Sequence, residues 1–300
     1  MKITPIASDS MGTRSTCTLV ETKSCKILLD PSAALGPYRF GKSPHALEWE
    51  RLNEHWAAIK KTAAMSDILV VNHYHYDHYN PDHPELYKDK TVFLKHSTQN
   101  INKSQTQRSA FFLKQVEGIP KKVLFSDGSE HEFGKTRIKF SNAAFHGTNN
   151  KLGYVTMVSI SQGDEKFVYT SDVEGPAIDH QAQFILDEKP TVIYIDGPMT
   201  YMLGYRYSQQ SLDASIANIK KFMDTFKPES IIIEHHLLRD IKWKQRIASL
   251  EEHAAKLKVN FTTAAGFVGK EVDQLEANRT TLWKKHPSMQ MPQSELKAED

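Results

Sequence analysis

Ser66-Asp67-Ile68-Leu69-Val70-Val71-Asn72-His73-Tyr74-His75-Tyr76-Asp77-His78 is the stretch around which the rest of the chain organises. Its first half is a short, unbroken apolar run with no room for a helix, which predicts a buried strand over 66–72. Its second half sets three histidines and an aspartate within six positions, directly at that strand's carboxyl end. His73 and His75, two apart, project alike only from extended backbone. Asp77 and His78 follow where the chain turns away from the strand. Imidazole nitrogen and carboxylate oxygen are the donors that zinc and its first-row neighbours take. The competing reading is a histidine-rich surface loop, and so dense a cluster after a buried strand argues against it.

The same arrangement recurs further along. A predicted strand over 140–145 runs into His146-Gly147, one over 167–170 into Ser171-Asp172, and one over 230–234 into His235-His236. Each time a ligand-type side chain stands where an apolar strand stops. Singly, these are ordinary loop and turn residues; together with the first cluster they predict one shared site. Asp30, Asp196 and Glu234 also end apolar strands and are candidates to hold the histidine rings. Tyr201, Tyr205 and Arg206 follow in a loop rich in Gly, Pro and Tyr, a candidate lining for the substrate mouth. Arg206 or Arg239 is a candidate anion binder. Tyr74 and Tyr76 alternate with the ligands and are assigned to packing.

Outward from the cluster, β-type runs are expected over 3–7, 15–21 and 26–30, then a helix over 45–62 with Leu47, Leu52, Trp56 and Ile59 at helical spacing. A strand over 91–94, one helix or two over 97–116 and strands over 122–125, 130–133, 136–144 and 152–161 follow. After Asp172, helix-length and strand-length segments alternate, with helices expected over 179–186, 209–226 and 239–257. That pattern predicts strands covered by helices on an outer face. A single domain over 1–286 is expected, with 287–300 a polar, aperiodic tail.

Of 300 residues, 39% are hydrophobic, enough for a large core without disulfides. The two cysteines, Cys17 and Cys25, match no zinc spacing and read as a core residue and a strand start. A formal charge of +2 offers no basic stripe, so nucleic acid is a possible partner and not the favoured one. Lys60-Lys61, Lys220-Lys221 and Lys284-Lys285 read as solvated helix faces. No apolar stretch is long enough for a membrane span, and residues 1–5 read as a strand start rather than a signal segment, so a cytoplasmic protein is expected.

The H-x-H-x-D-H cluster followed by His146, Asp172 and His235, in this order and at strand ends, resembles the metallo-β-lactamase superfamily over roughly residues 1–265. Residues 11–21, 196–206 and 234–240 further resemble a branch of predicted hydrolases within it. The resemblance implies an α+β fold: a four-layer αββα sandwich of two mixed sheets flanked by helices, with two metal ions at one edge. One ion would take His73, His75 and His146, the other Asp77, His78 and a final histidine, with Asp172 bridging. Comparing 235–239 with the H-F-S-x-R motif of ribonuclease Z favours His235 as that last ligand, with His236 the alternative. Adjacent residues in a strand face opposite ways, so only one of the two is expected at the site. Zinc is the expected metal, with iron or manganese as alternatives.

The activity implied is hydrolysis of an ester-like bond by a metal-bound hydroxide, with Asp77 as the catalytic carboxylate. A phosphodiester, lactone or thioester is the expected substrate. Alternatives on the same fold are a nucleic-acid-processing nuclease and a mononuclear iron dioxygenase. The diiron flavoproteins of the fold generally carry H-x-E-x-D; His75 departs from that pattern.

Overall fold

Four-residue strands, most of them with apolar centres, closed off by turns, build the first sheet in the computed structural model, which describes residues 1–296. β1 (Lys2–Pro5), β2 (Thr18–Glu21) and β3 (Lys26–Leu29) are antiparallel neighbours. Helix α1 (Ala46–Ala64) crosses over to β4 (Ile68–Val71), which lies parallel to β3. β5 (Thr91–Leu94), helix α2 (Lys103–Gln115) and β6 (Lys122–Phe125) continue the parallel side, giving the order β1-β2-β3-β4-β5-β6.

The second sheet begins with β7 (Glu130–Phe133) and β8 (Thr136–Phe140). The strand expected over 136–144 is interrupted, because β9 (Ala144–Phe145) leaves the sheet to pair with β10 (Tyr154–Val155). β11 (Val158–Gln162) and β12 (Glu165–Tyr169) return to it. Helix α3 (Asp179–Glu188), β13 (Val192–Asp196), helix α4 (Gln209–Phe226), β14 (Ser230–Glu234), helix α5 (Trp243–Leu257) and β15 (Asn260–Thr262) complete the order β15-β14-β13-β12-β11-β8-β7. β12 to β15 are parallel and the remainder antiparallel. Short helices α6 (Ala264–Phe267) and α7 (Arg279–Lys285) follow.

Strand alternation explains the layering. In β4, Ile68 and Val70 face the second sheet, meeting Ile138, Val158 and Phe167 in the central core. Leu69 and Val71 face the other way, onto Trp56 of α1 and Phe112 of α2. A strand covered on both faces needs apolar residues at every position, which is why this run does not alternate with polar ones. Ile193 and Ile231 of the second sheet likewise pack on Ile219 and Phe222 of α4 and Leu250 of α5. Each fully buried aliphatic or aromatic side chain contributes about 1.5–3 kcal/mol. The result is helices, sheet, sheet, helices: the four layers expected.

Boundaries moved where side chains took over from periodicity. The helix expected from 239 begins at Trp243, after a 3-10 turn over His235–Arg239. Cys17 and Cys25 are buried free thiols. Of the expected tail, 297–300 lie outside the described residues; within them, Glu295 pairs with Lys60 of α1 and Leu296 is buried against the first core. Among the described residues no helix is long and apolar enough to cross a membrane.

Candidate metal centre

Parallel strands deliver their carboxyl ends to one edge of the sandwich, where open α/β sheets place ligands. β3 ends at Asp30, β4 at the histidine loop, β12 at Ser171-Asp172, β13 at Asp196 and β14 at His235-His236. β9 adds His146, whose amide donates to the Gly153 carbonyl (3.0 Å). The loop after β4 turns back on itself where the His78 amide donates to the His75 carbonyl (2.9 Å).

Asp172 sits at the middle of what converges. Its Oδ2 lies 3.2 Å from the Nε2 atoms of His78 and His235, 3.3 Å from that of His146 and 3.6 Å from that of His73. His73 Nε2 and His75 Nδ1 are 3.1 Å apart. Two nitrogens at about 2.0–2.1 Å from one tetrahedral zinc stand about 3.3 Å from each other, so this spacing suits a shared ion. His73, His75, His146 and Asp172 thus offer one set of donors, and Asp77, His78 and His235 another. Two further groupings bring in His236, one with His146 and Glu174, one with Asp172 and His235.

The other ring nitrogens are held from behind. His78 Nδ1 donates to Asp30 Oδ2 (2.8 Å), which also accepts from the Tyr169 hydroxyl (2.7 Å), while Asp30 Oδ1 accepts from the Asn72 amide (2.8 Å). His235 Nδ1 donates to Asp9 Oδ2 (2.7 Å), and His73 Nδ1 is hydrogen-bonded with the Ser171 hydroxyl (3.2 Å). Each bond fixes a ring's orientation and leaves the opposite nitrogen, Nε2, facing inward. His146 Nδ1 lies 3.4 Å from Glu174 Oε1. Gly147 makes room for that carboxylate: at φ +75° it has no side chain, and a Cβ there would stand 2.5 Å from Glu174 Oε2.

Electrostatics favour positive charge at the centre. Burial pulls the His78 imidazole down, yet Asp172, Asp77 and Asp30 outweigh it and push its pKa up to about 10. Burial is likewise outweighed at His146, which Asp172 and Glu174 push up to about 9. Asp77 runs the other way: burial would raise it, but His78 and His235 hold it well below the usual carboxylate range. His73 and His75 are kept neutral first by burial and then by neighbouring imidazoles. Meanwhile His78 Nε2, His146 Nε2 and Asp172 Oδ1 are buried with no hydrogen-bond partner. Buried polar atoms are rarely left so, and nitrogen and oxygen donors aimed at a common point fit first-row divalent ions.

His235 and His236 do not separate onto opposite faces as strand alternation predicts. β14 ends at Glu234, and His235 adopts the left-handed conformation (φ +57°), so both rings come to the same edge with centroids 4.6 Å apart. His235 Nε2 faces Asp172 and, at 3.6 Å, Asp77; His236 Nδ1 donates to Asp196 (3.0 Å). Asp196 therefore orients His236. Glu234 holds no ring: its carboxylate accepts the amides of His235 (2.8 Å) and Ser10 (3.2 Å) and so shapes the turn.

Of the other candidates, Arg239 is at the site, its Nε donating to Asp9 Oδ1 (2.9 Å) and its Nη2 to Asp77 Oδ2 (3.4 Å). Tyr201 lies under the Arg39 guanidinium (4.4 Å) and Arg206 over the Tyr205 ring (5.6 Å), both outside the wall of the cavity that opens onto the centre. Tyr74 is buried in the first core, and Tyr76 packs against that core while also reaching the cavity. Asp9 and Glu174 were missed by sequence reasoning; a Ser-Asp-Ser turn and a Glu two positions past Asp172 carry no local mark of their role.

No family model matches the chain. The UPF0282 protein of Korarchaeum cryptofilum is 49% identical over 301 residues, spanning 100% of both chains. That of Methanocaldococcus jannaschii is 41% identical over 293 residues, 94% of this chain and 96% of its own. Among solved structures, isothiocyanate hydrolase from Delia radicum gut bacteria matches with a TM-score of 0.53 at 14% identity, over 87% of this chain and 95% of that one. Zn2+-bound PqqB from Methylobacterium extorquens matches with a TM-score of 0.53 at 10% identity, over 91% and 99%. Such identities speak for the fold alone, and that fold is the αββα metallo-β-lactamase fold. With relatives this similar along its whole length, the chain belongs to the UPF0282 family.

Proposed function

We propose that this protein is a dinuclear metal-dependent hydrolase acting on an ester-like bond, in a phosphodiester, lactone or thioester. The observation that carries the reading is the gathering of four imidazole Nε2 atoms within 3.2–3.6 Å of one buried carboxylate oxygen, Asp172 Oδ2. Burying so many ionisable groups together is costly unless they are paired or coordinate metal. A hydrolase and a zinc-bound protein that share the fold support it.

His73, His75 and His146 would hold one ion, Asp77, His78 and His235 the other, and Asp172 would reach both. Bound there, such ions supply Lewis acidity and bring the pKa of water towards neutrality. The chain's part is to keep its donors fixed and correctly protonated. Asp30 and Asp9 hold the Nδ1 atoms of His78 and His235, so that both Nε2 atoms stay turned inward, where a bound ion would take the place of a proton. Asp77 would help to hold that ion, and its carboxylate could accept a hydrogen bond from water there and orient it. Arg239, flanked by Asp9 and Asp77, spends its charge on positioning those two carboxylates.

Zinc is the metal best matched to this nitrogen-rich donor set. Elemental analysis of the purified protein should find it as the dominant metal. Asp77→Ala should lower hydrolysis of bis(p-nitrophenyl) phosphate by at least about a hundredfold while circular dichroism stays unchanged. Undiminished turnover in that variant, or iron as the dominant metal, overturns the reading.

A further inference from the structure

The cavity over the centre, about 410 Å³, is of small-molecule size and carries four cationic side chains: Arg14, Arg108, Lys151 and Arg239. Two of them are already committed. Arg14 donates to both oxygens of Glu276 (2.6 and 2.7 Å), and Arg239 to Asp9 and Asp77. The other two are not ion-paired among the described residues. Arg108, on α2, lays its guanidinium on the Tyr76 ring (4.4 Å) and gives one N–H to the Tyr74 carbonyl (3.4 Å). Those residues alternate with His73, His75 and Asp77, so Arg108 is anchored against the ligand loop with most of its five donors free.

Lys151 lies on a 3-10 turn over Asn150–Leu152. Its amide donates to Asn149 Oδ1 (3.0 Å), and its carbonyl accepts from Asn102 Nδ2 (3.2 Å), the residue that caps α2. That bond ties the turn to the start of α2, the helix that carries Arg108, and both residues line the same cavity. A neutral substrate has no use for such a lining. Asp77 and Asp172 already have cationic or imidazole neighbours of their own, Asp172 the histidines and Asp77 His235 and Arg239.

We propose that Arg108 and Lys151 form a clamp for a second anionic group of the substrate, a carboxylate or phosphate separate from the bond being cleaved. The planar guanidinium fork suits either oxyanion, and the lysine adds a mobile point charge. The proposal rests on the hydrolase reading for what happens at the other end of the substrate. Anion recognition therefore lies with two residues that sequence reasoning did not single out, rather than with Arg206 or Arg239.

Isothermal titration calorimetry of zinc-loaded and metal-free protein with glutarate, 3-phosphonopropionate and butyrate tests it. The first two carry two anionic ends and the third only one. Glutarate or 3-phosphonopropionate should bind about tenfold to a hundredfold more tightly than butyrate, and whichever binds better names the anion. Arg108→Met and Lys151→Met should each lower that ratio about tenfold, while Arg206→Met leaves it unchanged. Lys151 sits on an exposed turn, so its variant reads the clamp even where Arg108→Met disturbs packing on Tyr76. Equal binding of the two-ended and one-ended probes, or a preference that survives both substitutions, overturns the clamp. Metal content measured on the same samples separates the two claims. Zinc-exposed protein that retains no metal ends the hydrolase reading, and the clamp still stands or falls on its anion preference.

Discussion

Asp9 does for His235 what Asp30 does for His78: each takes the Nδ1 proton, at 2.7 and 2.8 Å, and turns Nε2 to the centre. Asp9 also neutralises Arg239, so its charge serves two partners at once. Asp9→Asn should weaken the site containing Asp77, His78 and His235 by about tenfold to a hundredfold in metal affinity, the usual effect of removing such a partner. After dialysis against a weak chelator, metal per chain should fall from two towards one. Two ions retained per chain would show that Asp9 does not matter to binding. The place of the histidine loop was legible in the sequence because its residues are adjacent and stand at a strand end. Asp30 was legible for the second reason alone. Asp9 was not: it meets His235 across 226 residues of chain, and nothing near it in sequence foretells that. Tyr201 and Arg206 show the converse, since a loop's composition says nothing of which way it faces.

Strands were easier to read than the places where they stop. β4, β5 and β14 fall where apolar runs predict them, because burial on both faces dictates their composition. The segment after β14 defeats periodicity: Glu234 binds the following amide, His235 takes φ +57°, and Arg239 is held by Asp9. A local preference for helix yields there to site geometry. Helix α7 was not foreseen at all, and one buried ion pair docks it. Arg279 Nη2 lies 2.7 Å from Glu48 Oε1 and Nε 2.9 Å from Oε2, while Glu48 Oε2 also accepts the His45 amide at the start of α1. Arg279→Met should cost about 3–5 kcal/mol, because it strands a buried carboxylate. Adding Glu48→Met should recover most of that, with about 1 kcal/mol still lost from the helix cap. Guanidinium unfolding of the four proteins in the cycle checks this; additive losses would mean that the pair is not what holds α7.

At the scale of the molecule, the chain beyond the second sheet returns to brace the loops around the cavity. Glu276 is the brace. It accepts from Arg14 in the β1–β2 connection and, at 3.4 Å, from Arg39 in the β3–α1 connection, and Arg39 in turn donates to the Arg239 carbonyl (2.8 Å). Burial would raise the Glu276 carboxyl, but the charge and hydrogen bonds of Arg14 win and hold it far below the usual range. A carboxyl depressed in the folded state binds protons more readily when unfolded. Its contribution is therefore complete above its unfolded pKa, about 4.3, and is lost as pH falls below that towards the folded value. Glu276→Gln should cost about 2–4 kcal/mol at pH 7, less than a fully enclosed pair because the Arg14 side chain keeps 23% exposure. The variant should also lose less stability than the parent between pH 5 and 3, since the amide has no proton to take up. Urea midpoints across that interval measure both effects. Parallel acid limbs in the two proteins would show that Glu276 titrates alike folded and unfolded, and that these loops are braced by something other than its charge.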